Sequence, residues 1–198
     1  MRLSYLIIIL IIIFIIFFKL MYSKMTYIKS DIDNKYYLVR DLPDKQIACN
    51  MLASIKHDII IIVEYLDKNK NDKYKDYKLN IDRLKDRIYN VNISENTGKN
   101  SDTSYSINKG EELFLCLRSK KHYNQFHDRN LIFYVVLHEI SHIASPFYEQ
   151  EFKGHGPEFK RVFNFLTMVA IDLGKYTKIE FEKKSEEYCG IYITDSII

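Results

Sequence analysis

The sequence predicts an α+β fold: a small antiparallel sheet packed on one buried helix, with an N-terminal transmembrane helix ahead of the domain. Three observations carry this expectation. Residues 3–18 form an almost continuous Ile/Leu/Phe run, broken by Ser4. Residues 131–137 are apolar without interruption and lead straight into His138-Glu139-Ile140-Ser141-His142. Elsewhere, stretches with apolar residues three and four apart alternate with shorter apolar runs bounded by turn residues, the mixture expected of helices and strands.

With Lys19 able to snorkel, the first run extends to Tyr22, about 20 residues or roughly 30 Å of helix, enough to cross a bilayer. No small-residue cleavage site follows it, so an uncleaved anchor over residues 1–22 is expected rather than a removed signal peptide. Residues 23–42 are polar and mixed, a linker with one short strand near residues 36–39. Pro43 and Asp44 suit the first turn of a long helix. Its Ala48, Met51, Leu52, Ile55, Ile59, Ile62, Val63 and Leu66 keep helical spacing. The apolar stretch 59–63 is flanked by His57, Asp58 and Glu64 and is too short for a second span. Residues 68–78 are highly charged and low in complexity, a solvated loop that closes a helix-plus-loop unit over residues 43–78.

The second unit then occupies residues 79–198. A short helix over residues 81–89 (Ile81, Leu84, Ile88) precedes a polar loop over 92–104. Strands over 105–108 and 112–118 are separated by the turn signal Lys109-Gly110. Asp128 is the N-cap of the helix that carries the histidines, and Pro146 stops it. A helix over 157–173 follows, with Pro157 in its first turn, a clean apolar stripe and Gly174 beyond its end. Residues 188–194 alternate like a final strand.

On a helix, residues four apart share a face, so His138 and His142 aim both imidazoles at one ion. Glu139 lies about 100° round the helix from His138. From there it reaches a water at the ion without being a ligand, the position of a general base. Two histidines and a glutamate in a helix that is apolar all round are costly unless paired or metal-bound. A catalytic zinc takes three protein ligands and leaves a place open. The third ligand comes from His155, set between Gly154 and Gly156 where a tight turn is allowed, or from Glu158 on the next helix; zinc's taste for nitrogen favours His155. The positions three and six residues after His142 are Ser145 and Tyr148, which rules out the extended metzincin motif. Tyr148 and Tyr188 are candidates for a second carbonyl-stabilising donor, although with 16 tyrosines in the chain a structural role is the commoner one. His57, His122 and His127 are read as structural.

The segment HEISH, a variable loop, then GHGPEF running into an apolar helix resembles the WLM/SprT-like zinc metallopeptidases, in particular the stand-alone WLM-type proteins of large DNA viruses. The resemblance covers about residues 79–195, with 128–166 as its core. It implies a minimal zincin-like domain, Zn2+ held by His138, His142 and His155, and Glu139 as base. Relatives in that family cleave proteins crosslinked to DNA, which implies a protein or peptide substrate.

Charge and cysteine content bound the rest. The net charge of +3 gives no footprint for strong nucleic-acid binding. The cluster Arg118-Ser119-Lys120-Lys121-His122 offers a phosphate contact, or more simply a solvated turn. Positive charge is heavier after the 3–18 apolar run (Lys19, Lys24, Lys29, Lys35) than before it (Arg2), which places the domain in the cytoplasm. Three well-separated cysteines, Cys49, Cys116 and Cys189, fit a reducing compartment without a disulfide framework. The expected function is membrane-anchored, zinc-dependent peptide-bond hydrolysis. Its rivals are a catalytically silent zinc-binding membrane or virion protein, a repair protease for DNA-linked proteins, and a glutamate-liganded enzyme using Glu158.

Overall fold

A computed structural model describes residue 11 and residues 25–97, 103–108, 110–122, 124–145, 150–152 and 154–198. Apart from Ile11, the predicted anchor lies outside the described residues, as do Pro146 and Tyr148. The elements are β1 (Met25–Lys29), β2 (Tyr36–Arg40), α1 (Lys45–Asn69), a 3-10 turn (Lys75–Tyr77), α2 (Lys78–Ile88), β3 (Asn92–Glu95), β4 (Tyr105–Ile107) and β5 (Glu112–Leu115). After these come α3 (Arg129–Ala144), a second 3-10 turn (Gln150–Phe152), α4 (Pro157–Asp172), β6 (Glu186–Tyr188) and β7 (Ile191–Ile193).

Residues 25–40 form an antiparallel hairpin where the sequence suggests a linker with one short strand. Tyr37 and Val39 turn inward while Tyr36 faces solvent, the alternation of a half-buried strand. Beneath the hairpin runs α1. Among the described residues it is the helix long and apolar enough to cross a membrane. Its Ala48, Cys49, Leu52, Ala53, Ile55, Ile59, Ile62, Val63 and Leu66 are at most 1 % exposed within the core, so its apolar face is already covered by protein.

The central sheet has the order β3-β5-β4. It is mixed rather than antiparallel: β4 pairs antiparallel with β5, but β3 pairs parallel with it, Ile93 opposite Leu113. The parallel strand lies in the stretch expected to be loop. Its Glu95 is buried and accepts from the Arg40 backbone N–H at 2.8 Å and from Arg118 Nε at 2.7 Å. Arg118 also pairs with Asp44 at 2.7 Å, holding that carboxyl below its usual range, and its guanidinium carbon lies 4.0 Å from the Phe126 ring centre. The phosphate-contact reading of the 118–122 cluster therefore fails for Arg118, which is buried in ion pairs.

The expected single final strand is instead a tight hairpin, β6 against β7. Cys189 (φ 52°) and Gly190 (φ 93°) are both left-handed at its tip, as a two-residue hairpin turn requires. The cysteines also depart from expectation. Cys116, just past β5, and Cys189 form a disulfide with Cα atoms 6.1 Å apart, leaving Cys49 as a buried thiol. Separation in sequence conceals a pairing that the fold creates, because the turn of the last hairpin lands on the end of β5.

Candidate metal centre

The site is built on α3. Asp128 caps it as predicted, its carboxylate accepting from the N–H groups of Asn130 (2.9 Å) and Leu131 (3.2 Å). Residues 131–137 are buried all round, so the helix is clamped between α2, α4 and the sheet. Gly110, at φ +102°, closes the β4–β5 turn against it; a Cβ there would lie 2.9 Å from Ile143 Cδ1. The backbone carried past Ser145 returns through the 3-10 turn Gln150–Phe152, where the His155 N–H donates to the Phe152 carbonyl at 2.9 Å. Gly154 at φ 81° makes that return possible. Gly156 needs no such freedom and serves as the N-cap position of α4, ahead of Pro157.

These elements bring three imidazoles together. The Nε2 atoms of His138, His142 and His155 form a triangle with sides of 3.3, 3.2 and 3.1 Å. Three nitrogens each about 2.0–2.1 Å from one tetrahedral ion stand about 3.3–3.4 Å apart, so the trio fits a zinc ion. Burial is the first cause, and the neighbouring imidazoles the second, that pushes His138 down to about 3 and His142 to about 4. Both rings are thus neutral at ordinary pH, the form that can bind a metal ion. Glu158, the alternative ligand, is engaged elsewhere: it accepts from Asn80 Nδ2 at 3.1 Å and pairs with Arg161 at 2.9 Å.

Glu139 is 7 % exposed. Burial raises its carboxyl to about 8, while the Ser106 backbone hydrogen bond pulls the other way. A cation held by the three imidazoles would draw that value back toward the ionised form a base needs. Ser106 lies in the middle of β4, an edge strand, so the sheet edge passes directly by the carboxylate.

One supporting residue hides in the sequence as an ordinary member of an apolar stripe. Phe159 stacks on His142 with centres 4.2 Å apart and presents edge contacts at 4.9 Å to both His138 and His155. It is the floor on which all three rings rest. Only its place four residues after His155 hints at this. Tyr188 is buried, with its hydroxyl 2.6 Å from Ser104 Oγ, which accepts from the Cys116 N–H, and it lines the same cleft as His138 and Glu139. His127 is structural, with Nε2 accepting from the Cys189 N–H at 3.1 Å.

No protein-family model matches the sequence. Over 176 residues the chain is 42% identical to a protein of Acanthamoeba polyphaga mimivirus named "Uncharacterized protein R325", covering 89% of this chain and 86% of that protein. A protein of Invertebrate iridescent virus 6, "Uncharacterized protein 136R", is 33% identical over 87 residues, 43% of this chain and 44% of the relative. The crystal structure of Wss1 from Saccharomyces cerevisiae overlaps with a TM-score of 0.46 at 23% identity, covering 69% of this chain and 89% of that one, a likeness too loose to speak for activity.

Proposed function

This chain belongs to the same family as protein R325 of mimivirus, and from that premise and the geometry of the site we propose that it is a membrane-anchored zinc metallopeptidase of the WLM type. The observation that supports this most is the triangle of Nε2 atoms, 3.1–3.3 Å on a side, beside one buried carboxylate. His138, His142 and His155 hold the ion, and Phe159 fixes the planes of their rings. Zinc, when bound, supplies a Lewis acid that polarises a carbonyl and makes water a better nucleophile at neutral pH. A carboxylate oxygen of Glu139 takes the proton from the attacking water and returns it to the leaving amine. Burial on α3 keeps that oxygen from exchanging protons freely with bulk solvent. The chain's substrates are proteins or peptides.

The anchor is the apolar run of residues 3–18 extended to Tyr22. The flanking lysines favour a cytoplasmic domain, while the Cys116–Cys189 disulfide favours an oxidising compartment. The sequon Asn92-Ile93-Ser94 offers a direct readout, because Asn92 is exposed on β3. Glycosylation at Asn92 in a eukaryotic host would overturn the cytoplasmic orientation and agree with the disulfide; an unmodified Asn92 with protease sensitivity in sealed vesicles would uphold it, with Cys116 and Cys189 as thiols there.

The test of the peptidase reading uses the full chain in detergent. One zinc per chain is expected by elemental analysis, lost in His138→Ala, His142→Ala and His155→Ala. Glu139→Gln keeps the zinc and loses about 10²–10⁴-fold in kcat/KM on a protein substrate. Zinc retained with undiminished cleavage in Glu139→Gln would remove the base. Zinc bound without any cleavage by the parent chain would leave a scaffold rather than an enzyme.

A further inference from the structure

A cleft of about 340 Å³ opens directly beside His138 and Glu139. Its floor comes from the helices: Tyr134 and Val135 one turn before the metal-binding histidine on α3, and Phe163 on α4. Its outer wall is the last strand, β7, through Ile191 and Ile193. Among the described residues no lysine or arginine lines it, whereas Glu139 and Asp195 do. The wall is fixed in place from both ends. The disulfide ties Cys189 to Cys116, while beyond β7 the Ile197 N–H donates to the Tyr134 hydroxyl at 3.0 Å and the Ile197 carbonyl accepts from Asn164 Nδ2 at 3.0 Å. The cleft is thus formed before anything enters it.

We infer that this cleft is the specificity pocket for the substrate side chain next to the scissile bond, and that it takes a large apolar residue, aliphatic or aromatic, and rejects acidic ones. The inference rests on the peptidase reading. The pocket shares His138 and Glu139 with the reacting centre, so only a residue flanking the cleaved bond reaches it. Ile191 and Tyr192 are 51 % and 57 % exposed, large apolar surface held at the mouth of a cleft rather than folded into the core. A hydrophobic pocket discriminates by size, roughly 10–200-fold for one methylene, and Asp195, exposed in its lining, adds repulsion against acidic side chains. Val135 sets the depth and Ile191 the polarity of the rim.

The test presents zinc-loaded full-length protein in detergent with a peptide mixture varied at the two positions flanking the cleaved bond, read by mass spectrometry. Leu, Ile, Met or Phe should be favoured at one of those positions by about tenfold or more over Gly and Asp. Val135→Phe should shift the preference to Ala and Gly, and Ile191→Lys, at an exposed position that tolerates change, should admit Asp and Glu. A second readout is independent of turnover: Glu139→Gln should bind the preferred peptide about tenfold more tightly than its Asp counterpart in calorimetry. Cleavage without preference, or with a preference that neither variant moves, overturns the pocket and leaves the peptidase standing. Absence of cleavage for every peptide overturns the peptidase reading and the pocket with it.

Discussion

The Glu95–Arg118–Asp44 cluster and the His138–His142–His155 trio are both sets of polar side chains set into the same small domain, but they are resolved in opposite ways. In the first, Arg118 meets each of two carboxylates at 2.7 Å, and both Glu95 and Arg118 side chains are 1 % exposed. The chain supplies its own counter-charges, and the result joins β3, β5 and the start of α1. In the second, three like groups are forced within 3.3 Å of one another and the basicity of His138 and His142 is pressed down together. A buried charge answered from within holds shape; like groups made to converge need something from outside the chain.

That contrast can be broken by exchanging the consequences of mutation. Arg118→Ala should destabilise the protein by about 3–5 kcal/mol in urea unfolding, because Glu95 is left buried without its partner. His142→Ala, measured on zinc-free protein, should cost far less, since it relieves crowding among like groups. If the two variants lose similar stability without zinc, the trio is structural and the distinction fails.

A smaller effect sharpens the comparison at the Cys116–Cys189 disulfide. Replacing both Cys116 and Cys189 with Ser should cost about 2–4 kcal/mol. It should also loosen β6 and β7 in hydrogen exchange while leaving amides of α1 protected. Equal loosening of both regions would mean that the disulfide supports the whole core rather than the hairpin.

The smallest expected effect is a pH dependence at His127. Burial lowers its pKa below the ordinary 6.5, so the unfolded chain binds the proton more readily than the folded one. The stability that the neutral ring contributes is complete above about pH 6.5 and is lost as pH falls toward the depressed folded value. Protonation removes the acceptor that holds the Cys189 N–H. Wild type should lose stability between about pH 7 and 5.5 in thermal melts, with a shallower slope for His127→Gln. Because both proteins keep His138, His142 and His155, the difference between the slopes isolates His127. Equal slopes would remove it from the hairpin's support.

How much of the molecule is legible in the sequence depends on how local each signal is. His138, Glu139 and His142 lie within little more than one helical turn, and Asp128 caps the same helix three residues before its apolar run. The helices are readable from spacing, within a few residues at their ends. Strand β3 is not, because Asn92-Ile93-Ser94-Glu95 offers one apolar residue, and its buried Glu95 is made tolerable only by Arg118 far along the chain. Of the β1–β2 hairpin, β2 is readable near residues 36–39, while β1 stays hidden because none of its residues is fully buried. Phe159 carries no local mark that sets it apart from Phe163 or Phe165. The Cys116–Cys189 pair depends wholly on where the final hairpin lands.

That pair has one more consequence. Residues 116 and 189 close a covalent ring 73 positions around, and every member of the trio, with Glu139, sits inside it. A single nick anywhere in that arc leaves both fragments tethered. The nicked molecule would migrate with the intact one on a gel run without reductant and separate from it once thiol is added.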